Sequence, residues 1–140
     1  MSTIHASAVL IGAKAALIRG PSGAGKSRLA WQLLNSALPF TRLIGDDRVH
    51  LEAQNGRVLV RPAKDLAGLI EVRGLGIRRL AYEPLAVIGL VVDLAAADAE
   101  RLPEASETAL EGVKLPRLAV ENGADALSIV QAFLGTRPSG

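Results

Sequence analysis

Two short apolar runs open the chain, "ASAVLIG" and "AALIRG", with room for only a tight turn between them. Runs of this kind predict two strands, the second of which leads directly into a glycine-rich segment. From Lys26 the segment "KSRLAWQLLNSAL" places Leu29 and Leu33 on one helical stripe, and Pro39 ends the pattern. The pattern therefore predicts two strands, a loop and a helix, in which Trp31 packs against the rest of the protein.

A second pair of strands is predicted on either side of Asn55 and Gly56. The segments "RVHLEA" and "RVLVR" flank "QNG", and Asn-Gly is a strong hairpin signal because both residues accept positive φ angles. His50, in the first of these segments, is predicted to face solvent. Further on, "LAVIGLVVDL" is long, continuous and rich in β-branched residues, which is typical of a strand buried on both faces. We therefore expect this segment at the centre of a sheet.

The last third of the chain predicts a loop followed by a helix. Residues 96–116 are polar and are interrupted by prolines and a glycine, so we expect no regular structure there. The segment "NGADALSIVQAFL" repeats apolar residues at helical spacing, with Asn122 as the N-cap, and a disordered tail is expected at about residues 136–140. Together the elements predict an α/β fold, in which a mixed sheet is flanked by helices.

The composition narrows the class of protein. The 140 residues are 49% hydrophobic, which suits one domain spanning residues 1–140. Without cysteine there is neither a disulfide framework nor a thiolate metal site, and the cytoplasm is the expected location. The apolar runs are too short to span a bilayer. Because basic residues are spread along the chain and aromatic residues make up 3%, we expect neither a nucleic-acid nor a membrane partner.

Candidate chemistry begins with "GPSGAGKS", which matches the phosphate-binding pattern G-x-x-x-x-G-K-S. Glycines let the backbone curl so that its N–H groups point inwards at the positive end of the following helix and form a nest for phosphate oxygens. In this pattern Lys26 contacts the β- and γ-phosphates, and the Ser27 hydroxyl ligates Mg²⁺. We therefore predict a phosphate-containing ligand bound together with Mg²⁺, and the motif leaves the base of a nucleotide open. The predicted nucleotide-binding residues are Gly20, Pro21, Ser22, Gly23, Ala24, Gly25, Lys26 and Ser27.

Two adjacent carboxylates, Asp46 and Asp47, follow the short apolar run "RLIG". The end of a strand beside a phosphate loop is the usual place for metal-supporting and catalytic carboxylates in P-loop folds. Because adjacent residues on a strand point to opposite sides, one carboxylate can support Mg²⁺ while the other faces the γ-phosphate as a base. An exposed acidic turn is the alternative that the pair alone leaves open.

The chain contains four motifs in succession, "HASAVLIG", "GPSGAGKS", "LIGDDRV" and "EVRGLGI". Their order and spacing, over about residues 4–95, resemble those of the catalytic domain of bacterial HPr kinase/phosphorylase. The resemblance is to a short form without the family's N-terminal domain, and it implies a P-loop fold of the phosphoenolpyruvate-carboxykinase-like type. It also implies a serine kinase that uses ATP and Mg²⁺ to phosphorylate HPr or a related carrier protein of the phosphotransferase system.

The resemblance implies a role for each matching position. Asp46 would deprotonate the carrier's serine in the kinase direction, and His5 would lie near the phosphates, although a surface position is the alternative for this histidine. Arg73 would lie beside the active site, with a structural pairing to the carboxylates as its alternative. The implied catalytic residues are Asp46, Lys26, Arg73 and His5. The implied metal ligands are Ser27, Asp47 and Glu71.

One segment departs from the family's pattern. Members usually carry a Gly-Arg-Asn type segment on a loop associated with phosphorolysis and with contacts between subunits, whereas "EGVKLPRLAV" stands here with Lys114 and Arg117. Kinase activity is therefore the main prediction, and reverse phosphorolysis and a homo-oligomer are further expectations. A non-catalytic nucleotide sensor and a small-molecule P-loop kinase or NTPase are the alternatives that the sequence leaves open.

Overall fold

The computed structural model describes residues 1–100 and 106–139. The strands within them are β1 (Ser2–Ile4), β2 (Ser7–Ile11), β3 (Lys14–Arg19), β4 (Thr41–Gly45), β5 (Val49–Gln54), β6 (Arg57–Pro62), β7 (Leu69–Val72), β8 (Gly76–Arg79), β9 (Ala86–Leu94), β10 (Ser106–Leu110) and β11 (Val113–Val120). The helices are α1 (Lys26–Leu34) and α2 (Ala126–Gly135), with a 3-10 turn at Lys64–Leu66.

Strand β9 lies at the centre of the main sheet, as its continuous apolar sequence predicts. On one side it pairs in parallel with β3, where Leu17 lies opposite Val91. On the other side its first residues pair antiparallel with β6, and its last residues pair in parallel with β11. The carboxyl ends of β3, β9 and β11 therefore lie at the same edge of the sheet.

Antiparallel pairs extend the sheet on both sides of this centre. β2 pairs with β3 and β4, and β5 pairs with β6 and β1, so the order is β1-β5-β6-β9-β3-β2-β4. The predicted hairpin is confirmed, because Asn55 and Gly56 connect β5 to β6 with φ angles of 54° and 77°. The predicted mixed sheet with flanking helices is confirmed as well.

Alternate residues of the central strands pack on opposite faces of the sheet. Leu17 and Val91 belong to one hydrophobic cluster, whereas their neighbours Ile18 and Val92 belong to the other, and all four are fully buried. The first cluster extends into β5, β6 and β10, and the second into α1, α2 and β7. Because both faces are covered, the central strands need the continuous apolar runs that the sequence shows.

Helix α1 is shorter than predicted. It ends at Leu34 rather than near Pro39, because the Asn35 backbone N–H and side-chain amide both donate to the Trp31 carbonyl, the amide at 2.8 Å, and so close the last turn. Leu33 is fully buried, as its place on the apolar stripe predicts. The prediction for the tryptophan is wrong in part, since the Trp31 side chain is 39% exposed.

Helix α2 is present, but its N-cap differs from the prediction. Asp125 caps it, because its carboxylate accepts a hydrogen bond of 3.2 Å from the Ser128 N–H, and Asn122 lies in the preceding turn. Of the predicted tail, residues 136–139 belong to no helix or strand, and residue 140 lies outside the described residues. Neither α1 nor α2 has the length and apolar content that crossing a membrane requires.

The prediction of an irregular segment at residues 96–116 is wrong in its second half. β10 and the start of β11 form an antiparallel hairpin, with Glu111 and Gly112 in the turn at φ angles of 50° and 77°. Pro116 is tolerated because it precedes the part of β11 that pairs with β9, so the strand has one partner at that point. Pro103 lies outside the described residues.

The "EVRGLGI" motif occupies a separate two-stranded hairpin of β7 and β8. β7 packs against α1 and buries Ile70, whereas every residue of β8 is exposed. The hairpin therefore rests on the helix that follows the glycine-rich loop.

Candidate functional site

The phosphate-loop candidate, residues 20–27, connects β3 to α1 at the shared carboxyl edge of the sheet. Gly20 packs against the end of β9, where a Cβ atom would lie 3.1 Å from both the Cβ and the carbonyl oxygen of Leu94. A side chain at this position would require its neighbours to move by a few tenths of an ångström. Close packing therefore favours glycine at the first position of the motif.

The first turn of α1 has unpaired N–H groups. Its N-cap is Gly25, with a left-handed φ of 98°, and among the described residues no side chain caps the helix. The first intrahelical bond runs from the Leu29 N–H to the Gly25 carbonyl at 2.9 Å, which leaves the N–H groups of residues 26–28 without a helical acceptor. No acidic residue lies in this turn. These N–H groups are suited to bind phosphate oxygens, as the N-termini of helices that follow glycine-rich loops commonly do.

The Lys26 ammonium group folds back over the loop. It donates to the Gly20 carbonyl at 2.8 Å and to the Pro21 carbonyl at 3.2 Å. No ion pair in the described part of the chain involves Lys26. Its positive charge is therefore available to an anion bound in the loop.

The Asp46 carboxylate is the centre of a buried hydrogen-bond network. It is 4% exposed and accepts hydrogen bonds from the Ser7 hydroxyl at 2.5 Å, from the Ser27 hydroxyl at 2.8 Å and from the Glu71 N–H at 3.1 Å. These bonds join β2, α1 and β7 at the end of β4. They also place a carboxylate beside the loop serine, which is the arrangement that holds Mg²⁺ in P-loop enzymes.

Ser7 is a site residue that our sequence analysis missed. It is fully buried in β2 and lines the same cavity as the phosphate loop. The signal in the sequence is a lone hydroxyl in the apolar run "ASAVLIG", because a buried hydroxyl needs a hydrogen-bond partner.

Asp47 has very different surroundings from its neighbour. Its side chain is exposed and lines the cavity, and its backbone adopts a left-handed φ of 69°. Its carboxylate lies 3.8 Å from the Arg48 guanidinium. The two carboxylates face different environments, that of Asp46 enclosed and that of Asp47 open, but the cause is the bend after β4 with its left-handed Asp47 rather than the strand alternation on which the prediction relied.

Glu71 and Arg73 reach the site from the β7–β8 hairpin. Both are exposed and line the cavity, and the Glu71 N–H ties the hairpin to Asp46. Within residues 1–100 and 106–139, no three His, Cys, Asp or Glu residues are grouped as a metal site. Mg²⁺ at nucleotide sites uses one or two carboxylates together with phosphate oxygens, so a serine hydroxyl and a carboxylate beside a phosphate loop fit that ion.

One cavity of about 730 Å³ brings these residues together. Residues 22–29 and Gln32 contribute to its lining. Strands β2 and β4 lie on one side of β3, whereas β9 and β11 lie on its other side. The cavity therefore has two walls. One wall holds Ser7, Asp47, Glu71 and Arg73, and the other holds Leu94 and residues 122–126. A cavity of this volume is typical of small-molecule sites.

The two histidines lie outside this cavity lining. His5 is exposed in the connection between β1 and β2, next to Ala6, whose N–H donates to the Asp47 carbonyl at 3.2 Å. Its role near the phosphates stays a prediction. His50 is partly exposed on the face of β5 opposite buried Val49 and Leu51, as predicted, and its Nδ1 lies 2.7 Å from the Thr3 hydroxyl.

A charged network that our sequence analysis did not find holds the start of the loop. Asp93 of β9 accepts two hydrogen bonds from Arg19, at 2.7 and 2.8 Å, and one of 2.5 Å from Arg117. Arg117 also contacts Asp98 through two bonds of 2.8 and 2.9 Å. Because Arg19 directly precedes Gly20, the network fixes the loop to β9. Only the parallel register of β3 and β9, which places Arg19 opposite Asp93, reveals this pairing.

Burial of the Asp93 carboxyl raises its pKa, but the hydrogen bonds from Arg19 and Arg117 outweigh this effect and hold the pKa below the ordinary value of 3.8. Because the pKa of Asp93 is lower in the folded state, its ionised carboxylate stabilises the protein at any pH above the unfolded-state pKa. This contribution is lost as the pH falls through the folded-state pKa.

We expect Asp93→Asn to lower the free energy of unfolding by about 1–3 kcal/mol at pH 7, because charge-assisted hydrogen bonds are lost. Urea unfolding between pH 7 and pH 3 should show the difference from wild type shrinking below about pH 4. Glu107→Gln, at an exposed position of β10, is the control and should change stability little. A difference that stays constant with pH would contradict the role of the Asp93 charge.

Comparison with known proteins identifies the family. The family model described as the HPr Serine kinase C-terminal domain matches residues 1–135. The chain belongs to this family. Among the curated relatives, the HPr kinase/phosphorylase of Limosilactobacillus reuteri strain DSM 20016 is 34% identical over 84% of the chain and 40% of its own length. The HPr kinase/phosphorylase of Streptococcus thermophilus strain LMD-9 is 31% identical over 94% of the chain and 46% of its own length.

The chain therefore spans less than half the length of these HPr kinase/phosphorylase relatives. A solved structure, described as the Hpr(Ser) kinase/phosphatase from Coxiella burnetii, matches with a TM-score of 0.81 and 20% identity. The match covers 96% of this chain and 95% of that one. It confirms the predicted fold, in which a large mixed sheet is flanked by helices.

Proposed function

We propose that this HPr kinase family member is an ATP- and Mg²⁺-dependent serine kinase that phosphorylates HPr or a related carrier protein of the phosphotransferase system in the cytoplasm. The observation that carries the proposal is the contact between the Ser27 hydroxyl and the buried Asp46 carboxylate at the foot of the phosphate loop, with Asp47 exposed in the same cavity. Family membership favours this activity over a nucleotide sensor or a small-molecule kinase.

The loop residues supply the groups that bind a triphosphate. The unpaired N–H groups of α1 and the Lys26 ammonium would bind phosphate oxygens, and Lys26 has only two carbonyl contacts to exchange for them. Ser27 and Asp46 would hold Mg²⁺, with Glu71 at the same wall of the cavity. Bound Mg²⁺ would neutralise the charge that develops on the β- and γ-phosphates during transfer.

Asp47, rather than Asp46, is the base that the geometry favours. A general base must reach the hydroxyl that it deprotonates. Asp46 is enclosed and its carboxylate already accepts from two hydroxyls and an N–H, whereas Asp47 lines the open cavity. We therefore propose that the roles expected for the two carboxylates are exchanged. Asp46 then supports the metal, and Asp47 takes the proton of the incoming serine.

In the proposed reaction the carrier's serine oxygen forms a bond to the γ-phosphorus, while the bond from that phosphorus to the oxygen of the leaving ADP breaks. The serine proton passes to the Asp47 carboxylate. Arg73, whose side chain lines the same wall of the cavity, would contact the transferred group.

Reverse phosphorolysis and a homo-oligomer stay predictions. In the segment that stands in place of the Gly-Arg-Asn type sequence, Arg117 pairs with Asp93 and Asp98, and Lys114 is exposed on β11. Arg117 is therefore engaged in holding the loop.

The test is transfer of label from γ-labelled ATP with Mg²⁺ to an HPr-type carrier, followed by mass spectrometry of the carrier. We expect label on a carrier serine. Lys26→Ala should lower the labelling rate about 10- to 100-fold through the loss of charge-assisted phosphate contacts. Lys64→Ala, at an exposed lysine of the 3-10 turn, is the matched control and should label at the wild-type rate.

Nucleotide binding without any label on a carrier would overturn the kinase proposal in favour of the sensor. If label does appear, adding inorganic phosphate to the labelled carrier and following its release as pyrophosphate tests the reverse reaction.

A further inference from the structure

The cavity extends beyond the groups that the proposed transfer uses. On the side of β3 away from Asp47, its wall is formed by the turn at residues 122–126, between β11 and α2, and by Arg28 and Gln32 of α1. Leu94, which is 5% exposed, lines the cavity at the end of β9, where Gly20 of the phosphate loop packs against it. This half of the cavity is therefore continuous with the phosphate site but lies away from the acidic pair.

The direction of a bound triphosphate follows from the placement of the reactive groups, and this step rests on the proposed function. The γ-phosphate must lie beside Asp47 and the pair formed by Ser27 and Asp46, because transfer takes place there. The phosphate chain then runs across the unpaired N–H groups of α1. The opposite end of the nucleotide is directed towards residues 122–126.

The chemistry of this wall suits an uncharged, polar, flat group. The amides of Asn122 and Gln32 each offer both donors and an acceptor, which is what a nucleobase edge and ribose hydroxyls require. The Arg28 guanidinium is planar and can pack on a base ring. The one carboxylate of the turn, Asp125, is already engaged, because both its oxygens accept hydrogen bonds from Ser128, at 3.2 and 2.9 Å.

We propose that Asn122 and Gln32, with Arg28 beside them, form the subsite for the nucleoside half of the nucleotide. The phosphate loop binds the phosphates whatever base they carry, whereas this wall contacts the base and the ribose. Nucleoside recognition in this protein is therefore carried by the turn before α2 and by the outward-facing residues of α1.

The experiment compares binding of MgATP and of Mg²⁺ with inorganic triphosphate by calorimetry, using the whole chain. We expect wild type to bind MgATP more tightly than triphosphate. Asn122→Ala and Gln32→Ala should each weaken MgATP binding about 3- to 10-fold, the effect of one or two lost hydrogen bonds, and leave triphosphate binding unchanged. Gln54→Ala removes an exposed amide of β5 outside the cavity and is the matched control.

Equal affinity of wild type for MgATP and triphosphate would overturn the subsite, as would wild-type MgATP binding by both alanine variants. A variant that loses both ligands would show a structural role for that residue and would remove it from the subsite. If wild type binds neither ligand, the proposed nucleotide site itself is wrong. This outcome differs from a failure of the subsite alone, in which wild type still binds triphosphate.

Discussion

Asp47→Asn is expected to lower kcat for transfer to the carrier about 10²- to 10⁴-fold, which is the usual effect of removing a general base. The substitution keeps the shape of the side chain and removes its ability to accept the serine proton. Because Asp47 is exposed and is not the carboxylate that holds Ser27, MgATP binding should stay close to wild type. Single-turnover transfer and calorimetric MgATP binding together measure the two effects.

Asp46→Asn is the matched control for this substitution, since it makes the same chemical change one residue earlier. The Asp46 carboxylate accepts from both hydroxyls through Oδ1 and from the Glu71 N–H through Oδ2; asparagine keeps one oxygen acceptor, but its amide nitrogen cannot accept, so part of this network is lost. We expect Asp46→Asn to weaken Mg²⁺-dependent nucleotide binding and to lower stability. The proposed exchange of roles would fail if Asp46→Asn bound MgATP normally but lost transfer while Asp47→Asn remained active.

Leu33→Ala is expected to lower the free energy of unfolding by about 2–5 kcal/mol, because the side chain is fully buried and its removal leaves a cavity. Leu33 packs α1 against the cluster that includes Ile18 and Val92 of the central strands. Since α1 begins at Lys26, a loosened helix should also weaken phosphate binding. Urea unfolding measures the first effect and triphosphate binding the second.

Leu75→Ala provides the control for that prediction, because it makes the same substitution at a side chain that is 62% exposed, at the tip of the β7–β8 hairpin. Its effect on stability should be within about 0.5 kcal/mol. Equal losses of stability for Leu33→Ala and Leu75→Ala would contradict the packing described for α1.

Much of the site could be predicted from the sequence because its parts are local. The phosphate loop needs glycines, a lysine and a serine at close spacing, and the strand before it and the helix after it have clear apolar patterns. The acidic pair also follows a short strand, as the run "RLIG" predicts. The Asn55-Gly56 turn and the buried strand β9 were predicted for the same reason, since each depends on a few adjacent residues.

Features that depend on contacts between distant residues were predicted poorly. Residues 113–116 were expected to be irregular, yet they pair with β10 despite Pro116, and β11 continues from Arg117 into its pairing with β9. Trp31 is partly exposed although its helix is amphipathic. In both cases the tertiary structure decided what the local sequence pattern left open.

The sequence by itself determined the loop and its helix, the adjacent carboxylates, the central strand and the resemblance to the family, because each depends on residues that are neighbours along the chain. Only the tertiary structure decided which carboxylate is enclosed, that Ser7 and the Glu71 N–H hold it, and that Arg19 pairs with Asp93. Burial and hydrogen bonding between distant strands depend on register and on which faces are covered, and these are properties of the folded chain rather than of any short segment.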